Sequence, residues 1–149
     1  MKAAMPLTNP VTRLPSLRPV PIFRGLNKGA LLQVARKSAE ITYPAGTVVV
    51  REGDPGDSLC IIVSGSVEVL KSEQPVARLQ AGDFFGEISL IDGEPRSATV
   101  VAVEELTLLT ISSADFSDLL SDNYFACAVL RSLATRFREV LDSHGAPRV

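Results

Sequence analysis

The run GDFFGEISLIDGEPRSATV, Gly82 to Val100, holds one carboxylate and one guanidinium at a spacing that could do chemistry. Glu87 follows Gly86, and nine residues on Arg96 precedes Ser97. The stretch Glu87 to Ile91 suits about one helical turn, and a helix start leaves backbone N–H groups unpaired and turned outward, which suits an anion. Gly86 lets the backbone come close to whatever binds there. Pro95 stiffens the approach to Arg96, whose planar fork of donors matches a phosphate or a carboxylate. Ser97 adds a hydroxyl, and a carboxylate such as Glu87 accepts from a sugar hydroxyl. The segment thus offers an anion site beside a hydroxyl site, and a sugar phosphate fits both. The Glu87/Arg96 pair alone would equally be an exposed ion pair worth about 0–1 kcal/mol. The spacing, the glycine and the strand-like sequence on both sides are what set the two readings apart.

The elements that must position these residues show in the periodicity. From Ile41 to Ile111 apolar residues alternate, as in TVVVR, LCIIV, SVEVLK, SATVVAV and TLLTI. Turn signals separate the runs: Pro44-Ala45-Gly46, Gly53 to Asp57, Ser64-Gly65, Gly82-Asp83 and Asp92 to Pro95. Short strands at regular spacing with such turns predict an antiparallel sandwich, roll or barrel. Helical spacing of Leu31, Leu32 and Ala35 predicts a short helix over 28–37. After Ile111 the period changes again. Ser112 or Ser113 can cap a helix over 114–120, and Ser121, Asp122 or Asn123 a longer one over 124–141. In the longer helix Ala126, Leu130, Leu133, Phe137 and Leu141 form an apolar stripe. Five prolines among the first 21 residues predict an extended or poorly ordered arm with short helical turns. The expected organisation is an arm at 1–21, one domain at 22–142 and a tail at 143–149.

Composition excludes several classes. At 149 residues the chain is long enough for one domain with a real core. A net charge of −2 is a poor start for a nucleic-acid binder. No apolar run reaches the ~18 residues of a membrane span, and MKAAMPLTNP has no apolar signal segment, so a cytoplasmic protein is expected. The single histidine, His144, lies outside the strand region, which argues against a histidine-based metal site. Cys60 and Cys127 read as small buried hydrophobes in a reduced compartment. The serines fall at turns and caps, and no nucleophile–base pair stands out, so no catalytic residue and no enzyme is expected.

The sequence resembles the cyclic nucleotide-binding domain family, whose members include the catabolite activator protein, protein kinase A regulatory subunits and cyclic nucleotide-gated channels. The resemblance rests on Phe85-Gly86-Glu87-Ile88-Ser89-Leu90, the loop Ile91 to Pro95, and Arg96-Ser97-Ala98-Thr99-Val100, which match the family's phosphate-binding cassette. The upstream run GTVVVREGDPGDSLCIIVSGSVEVL matches as well, and the likeness extends over about Pro21 to Leu141. It implies a mainly β fold with flanking helices: an eight-stranded antiparallel, jelly-roll-like β-roll, a short N-terminal helix, a short cassette helix and two C-terminal helices. It implies no cofactor and a cyclic nucleotide as ligand, cAMP favoured over cGMP because serine, not threonine, stands at Ser97.

By the same resemblance Arg96 would clamp the cyclic phosphate and Glu87 would accept from the ribose 2′-hydroxyl. The backbone N–H groups of Ile88 and Ser89 would share the phosphate, Gly86 would shape that approach, and Ser97 would lie beside the phosphate or base. Arg136, Val140 and Leu141 are the candidates for a lid over the base. Ligand would draw the cassette toward the roll through Arg96, Leu90 and its neighbours would shift, and the C-terminal helices would swing over the base. A homodimer through the long helix and an effector protein or output domain are the expected partners. Direct DNA binding is not expected, since only DSHGAPRV follows the long helix. The competing reading is a β-roll scaffold or interaction domain that has lost nucleotide binding or senses another anion.

Overall fold

The apolar run Leu59 to Val63 lies in a strand buried on both faces, and the molecule is layered around it. The computed structural model describes residues 3–4 and 10–143. In chain order its elements are β1 (Ala3–Ala4), α1 (Pro10–Leu17), a 3₁₀ turn (Pro21–Phe23), α2 (Lys28–Lys37), β2 (Ala39–Tyr43), β3 (Val48–Val50), β4 (Ser58–Ser64), β5 (Ser66–Lys71), β6 (Gln74–Gln80), β7 (Phe84–Phe85), α3 (Glu87–Asp92), β8 (Thr99–Ala102), β9 (Leu106–Ser112), α4 (Ser113–Leu120) and α5 (Asn123–Ser143). One sheet has the order β1-β2-β9-β4-β7 and the other β3-β8-β5-β6. All pairings are antiparallel. Strands β2 to β9 form the expected eight-stranded roll, and β1 adds to the edge of β2 through Ala3↔Thr42 and Ala4↔Ile41.

Strand alternation divides the core in two. Leu59 and Ile61 of β4, with Leu109 and Ile111 of β9, face the helices, where they meet Leu31, Val34, Phe116 and Phe125. Cys60 and Ile62 point the other way, into the roll, with Phe85, Val67, Val100 and Leu108. A sheet covered on both faces needs apolar residues on both, which is why LCIIV reads as a continuous run.

The segment before residue 22 departs from the expected arm. From Pro10 it is helical, and Leu14, Leu17 and Val20 are buried in the same cluster as the helix layer. Pro10 is the first helical residue, where a missing N–H costs nothing. Pro15 lies inside α1 and costs about 3 kcal/mol or more there. Burying three aliphatic side chains at about 1.5–3 kcal/mol each outweighs it. Arg13 is buried too, and its Nη1 donates to the carbonyls of Ala35 and Ser38 and to Ser38 Oγ at the end of α2. The first nine residues of the arm, apart from the backbone of β1, and the tail from His144 on lie outside the described residues.

The long helix also turns differently. Its buried residues are Phe125, Ala128 and Val129, while Leu130 and Phe137 of the expected stripe are 66% and 58% exposed. Phe125 sets the rotation, because its ring lies between Phe23, stacked at 5.9 Å, and Phe116, edge-on at 5.8 Å. Cys127, two residues on, therefore lies on the opposite side and is exposed, against the expectation of burial. Cys60 is buried as expected.

Candidate functional site

Strand β7 and helix α3 are joined by Gly86, and this corner builds the site. Phe84 is anchored in the helix-side cluster and Phe85 in the roll, which fixes the strand before the turn. Gly86 has φ +94°, a left-handed conformation that disfavours a side chain. A Cβ there would stand 2.6 Å from Arg96 Nη1 and 2.7 Å from the Ser58 carbonyl oxygen. Gly86 is also the N-cap of α3 and offers no capping side chain. Helices α2, α4 and α5 are closed differently: Asn27 Oδ1 accepts from Ala30 N–H, Ser112 Oγ from Asp115 N–H, and Asp122 Oδ1 from Phe125 N–H. The first amides of α3 therefore lack the side-chain acceptor that those helices have.

Arg96 comes to this corner from the strand side. Its backbone pairs with the β3–β4 loop, its N–H donating to Asp54 O at 2.8 Å and its carbonyl accepting from Gly53 N–H at 2.9 Å. Its side chain is 5% exposed. Nη1 donates to Gly86 O and Nη2 to Ser58 O, both at 3.0 Å. The Asp57 carboxylate is 3.8 Å away, and its side chain is 90% exposed. The guanidinium is thus held mainly by neutral carbonyls, which orient the charge without cancelling it. Gly56 of the same loop approaches α3 so closely that a Cβ would lie 2.3 Å from Ser89 Cβ.

Glu87 is 2% exposed. It does not pair with Arg96; its ion partner is Arg136 of α5, whose Nη1 donates to Oε1. Arg136 Nη2 donates to the Phe84 carbonyl, and the guanidinium lies 4.2 Å from the centroid of the Phe84 ring. The structure thus brings together Gly86, Glu87, Arg96 and Arg136. Ser89 is buried behind the turn, and Ile88 is 47% exposed. Ser97 is exposed, its carbonyl accepting from Lys71 Nζ at 3.0 Å. Val140 and Leu141 lie further along α5, Val140 being 54% exposed.

A cavity of about 490 Å³ opens between β2 and β3, lined by Tyr43, Val50, Asp57, Cys60 and Arg96 among others. It reaches Arg96, but Glu87 is not in its lining. Burial pushes the Cys60 thiol up to about 11, with the nearby Arg96 charge pulling the other way. The thiol is therefore protonated near neutral pH and no nucleophile. Burial also pushes the Tyr43 hydroxyl up.

Sequence reasoning does not find the parts played by Gly56, Asp57 and the Ser58 carbonyl. The run GDPGDS signals a turn, but nothing in it says that the turn leans on Arg96. Arg136 is a lid candidate by sequence; that it pairs with Glu87, 49 residues away, has no local signal.

Known proteins resemble this chain in sequence and in fold. The sequence profile of the cyclic nucleotide-binding domain matches residues 40–123. The chain is 41% identical over 119 residues to a cyclic nucleotide-gated potassium channel of Rhizobium etli, covering 80% of this chain and 33% of the channel. It is 35% identical over 106 residues to a cAMP-dependent protein kinase regulatory subunit of Aspergillus niger, covering 70% of this chain and 26% of the subunit. It thus spans about a third or less of these curated relatives. Among solved structures, a cyclic nucleotide-binding domain from Methylobacillus flagellatus superposes with a TM-score of 0.85 at 25% identity, over 95% of this chain and 86% of that one. No helix among the described residues is long and apolar enough to cross a membrane. A roll of eight antiparallel strands, a glycine-capped cassette helix and a match over residues 40–123 lead to one conclusion: this chain belongs to the cyclic nucleotide-binding domain family.

Proposed function

We propose that the domain binds a 3′,5′-cyclic nucleotide, cAMP in preference to cGMP, and senses it without turning it over. The observation that carries this reading is Arg96: a buried guanidinium held on neutral carbonyls, beside a helix start without a side-chain cap and a buried carboxylate. A cyclic phosphate would complete the charge at Arg96 and take the N–H groups of Ile88 and Ser89, shaped by Gly86. A ribose hydroxyl would donate to Glu87. Ser97 would lie at the phosphate or base, and serine there supports cAMP. Arg136, Val140 and Leu141 of α5 are the candidates for a lid over the base. Binding would draw α3 toward the roll and reposition α4 and α5, to the extent that the ligand prefers one arrangement over the other.

The exposed residues Cys127, Leu130, Ala134, Phe137 and Leu141 (Leu141 partly covered) repeat at three- and four-residue intervals, which suits a homodimer along α5. The domain would act in the cytoplasm through an effector protein or an output domain.

Calorimetric titration with cAMP and with cGMP tests the reading. Saturable one-to-one binding, tighter for cAMP, is the expected result. Folded, nucleotide-free protein that takes up neither would refute it, and the scaffold or other-anion reading would then stand first.

A further inference from the structure

We infer that Lys71 and Glu52 form a clamp that positions Ser97, so that the choice between purine bases depends on the end of the β5–β6 hairpin as well as on the cassette. The inference rests on the cyclic nucleotide reading above and names two positioning residues that set the selectivity of that same site.

Lys71 follows Val67 and Val69 at the two-residue repeat of β5, on the face that lines the roll. Its ammonium group reaches the segment between Arg96 and β8, where Nζ donates to the Ser97 carbonyl at 3.0 Å and to Glu52 Oε2 at 3.1 Å. Glu52 is the centre of the arrangement. Its Oε1 accepts from Ser72 N–H at 2.9 Å, and its own N–H donates to Thr99 Oγ1 at 3.0 Å. The Ser72 amide first, and then Lys71, hold the Glu52 carboxyl below its ordinary value, so the acceptor is charged near neutral pH. Contacts from the end of β3, the end of β5 and the start of β8 thus meet around the Ser97 backbone.

The hairpin turn is shaped for this contact against its own preference. Lys71 pairs with Gln74 across a two-residue loop, Ser72-Glu73. Ser72 at φ +49° and Glu73 at φ +67° are the only non-glycine residues with positive φ among the described residues. A turn with both central φ values positive ordinarily uses Asn-Gly or Gly-Gly. Such a backbone persists where its surroundings over-determine it, and it gathers at functional sites. Here it aims the Ser72 N–H at Glu52 and sets Lys71 beside Ser97. Arg96 is fixed separately, by backbone bonds to Gly53 and Asp54. The clamp therefore acts on the residue after the arginine. The phosphate end, which cAMP and cGMP share, depends on Arg96; the base, where they differ, meets the residue that the clamp holds.

The test is a double-mutant cycle on the whole chain, read as the ratio of cAMP to cGMP affinity by calorimetry. The proteins are the wild type, Ser97→Ala, Lys71→Met and the double variant. Methionine keeps most of the length of the lysine stem and removes the ammonium group. In the wild-type background Ser97→Ala should move the ratio about 2- to 10-fold, the scale of one hydrogen bond. In the Lys71→Met background the same change should leave the ratio nearly constant, because the hydroxyl no longer has a fixed place. Lys71→Arg keeps a charged donor and should restore the effect of Ser97→Ala. Each ratio is taken within one protein, so a general folding defect, which lowers both affinities together, cancels. A wild type that binds neither nucleotide overturns the cyclic nucleotide reading itself. A wild type that binds, with Ser97→Ala moving the ratio equally in both backgrounds, overturns the clamp alone. A ratio that Ser97→Ala does not move in the wild-type background overturns the role in selectivity that the clamp is given.

Discussion

Replacing Arg96 by alanine separates two roles of one guanidinium. In the fold it ties the first turn of the cassette to the start of β4 by donating to Gly86 O and Ser58 O, both at 3.0 Å. A hydrogen bond from a charged donor contributes about 1.5–3 kcal/mol, so two contribute about 3–6 kcal/mol. Removing a buried cation also returns part of its desolvation cost. A net loss of about 1–3 kcal/mol is expected in urea unfolding without ligand. The second role, which the proposed function assigns to it, is to meet the phosphate of a cyclic nucleotide. Leaving a buried phosphate unpaired should cost a further 2–5 kcal/mol or so of binding, roughly 30-fold to several thousand-fold in affinity by calorimetry. Arg96→Lys should fall between, since an ammonium keeps the charge but cannot span the two carbonyls and the phosphate in one plane. A variant as stable as the wild type would show that the carbonyl contacts contribute nothing. A folded variant that binds as tightly as the wild type would remove Arg96 from the site.

Two more predictions address the supports of the site. Gly56→Ala places a Cβ 2.3 Å from Ser89 Cβ and should force the loop away from α3, at an overpacking cost of about 1–3 kcal/mol. Thermal unfolding and nucleotide titration should both report the loss, and unchanged values would mean that the loop yields freely. The Cys60 thiol, raised from 9.0 to about 11 in the folded chain, makes stability depend on alkali. Because the folded value lies above the unfolded one, this contribution is complete below pH 9 and is lost as pH rises through about 11. The loss amounts to about 2–3 kcal/mol. Comparing urea midpoints of the wild type and Cys60→Ala on either side of this window isolates it; parallel curves would refute it.

The strands with one clear face or two apolar faces, and the helices with caps, are legible in the sequence. The helix over 28–37 agrees with α2, and the helix caps fall at Ser112 and Asp122, both among the expected positions. Strand β6 is not legible. QPVARLQ is almost wholly exposed, so it carries no burial pattern, and its hairpin turn is Ser72-Glu73, both at positive φ without a glycine. That turn is held from outside, by the Glu52 carboxylate accepting from Ser72 N–H. The same bond is the main cause that lowers the Glu52 pKa, with Lys71 next. The cassette is legible as a motif because its glycine, acid and arginine lie within one short segment. What holds those side chains comes from the β3–β4 loop and from α5, and sequence periodicity says nothing about such distant contacts. The rotation of α5 escapes the sequence for a related reason. Two apolar stripes compete on that helix, and only the presence of Phe23 and Phe116 decides which one turns inward.

The burial of Leu14, Leu17 and Val20 decides where this folding unit can be cut. A boundary at residue 22, natural from the prolines alone, would strip three side chains from the helix layer and leave Leu31, Val34 and Ala35 facing water. It would also remove Arg13 from the carbonyls that end α2. A shortened chain begun there would carry every residue of the cassette and still be prone to stick to itself, because its fault would lie in the helix layer, where α2 had lost its cover. A fragment meant for binding work should therefore begin ahead of Pro10, with α1 kept as an inseparable part of the fold.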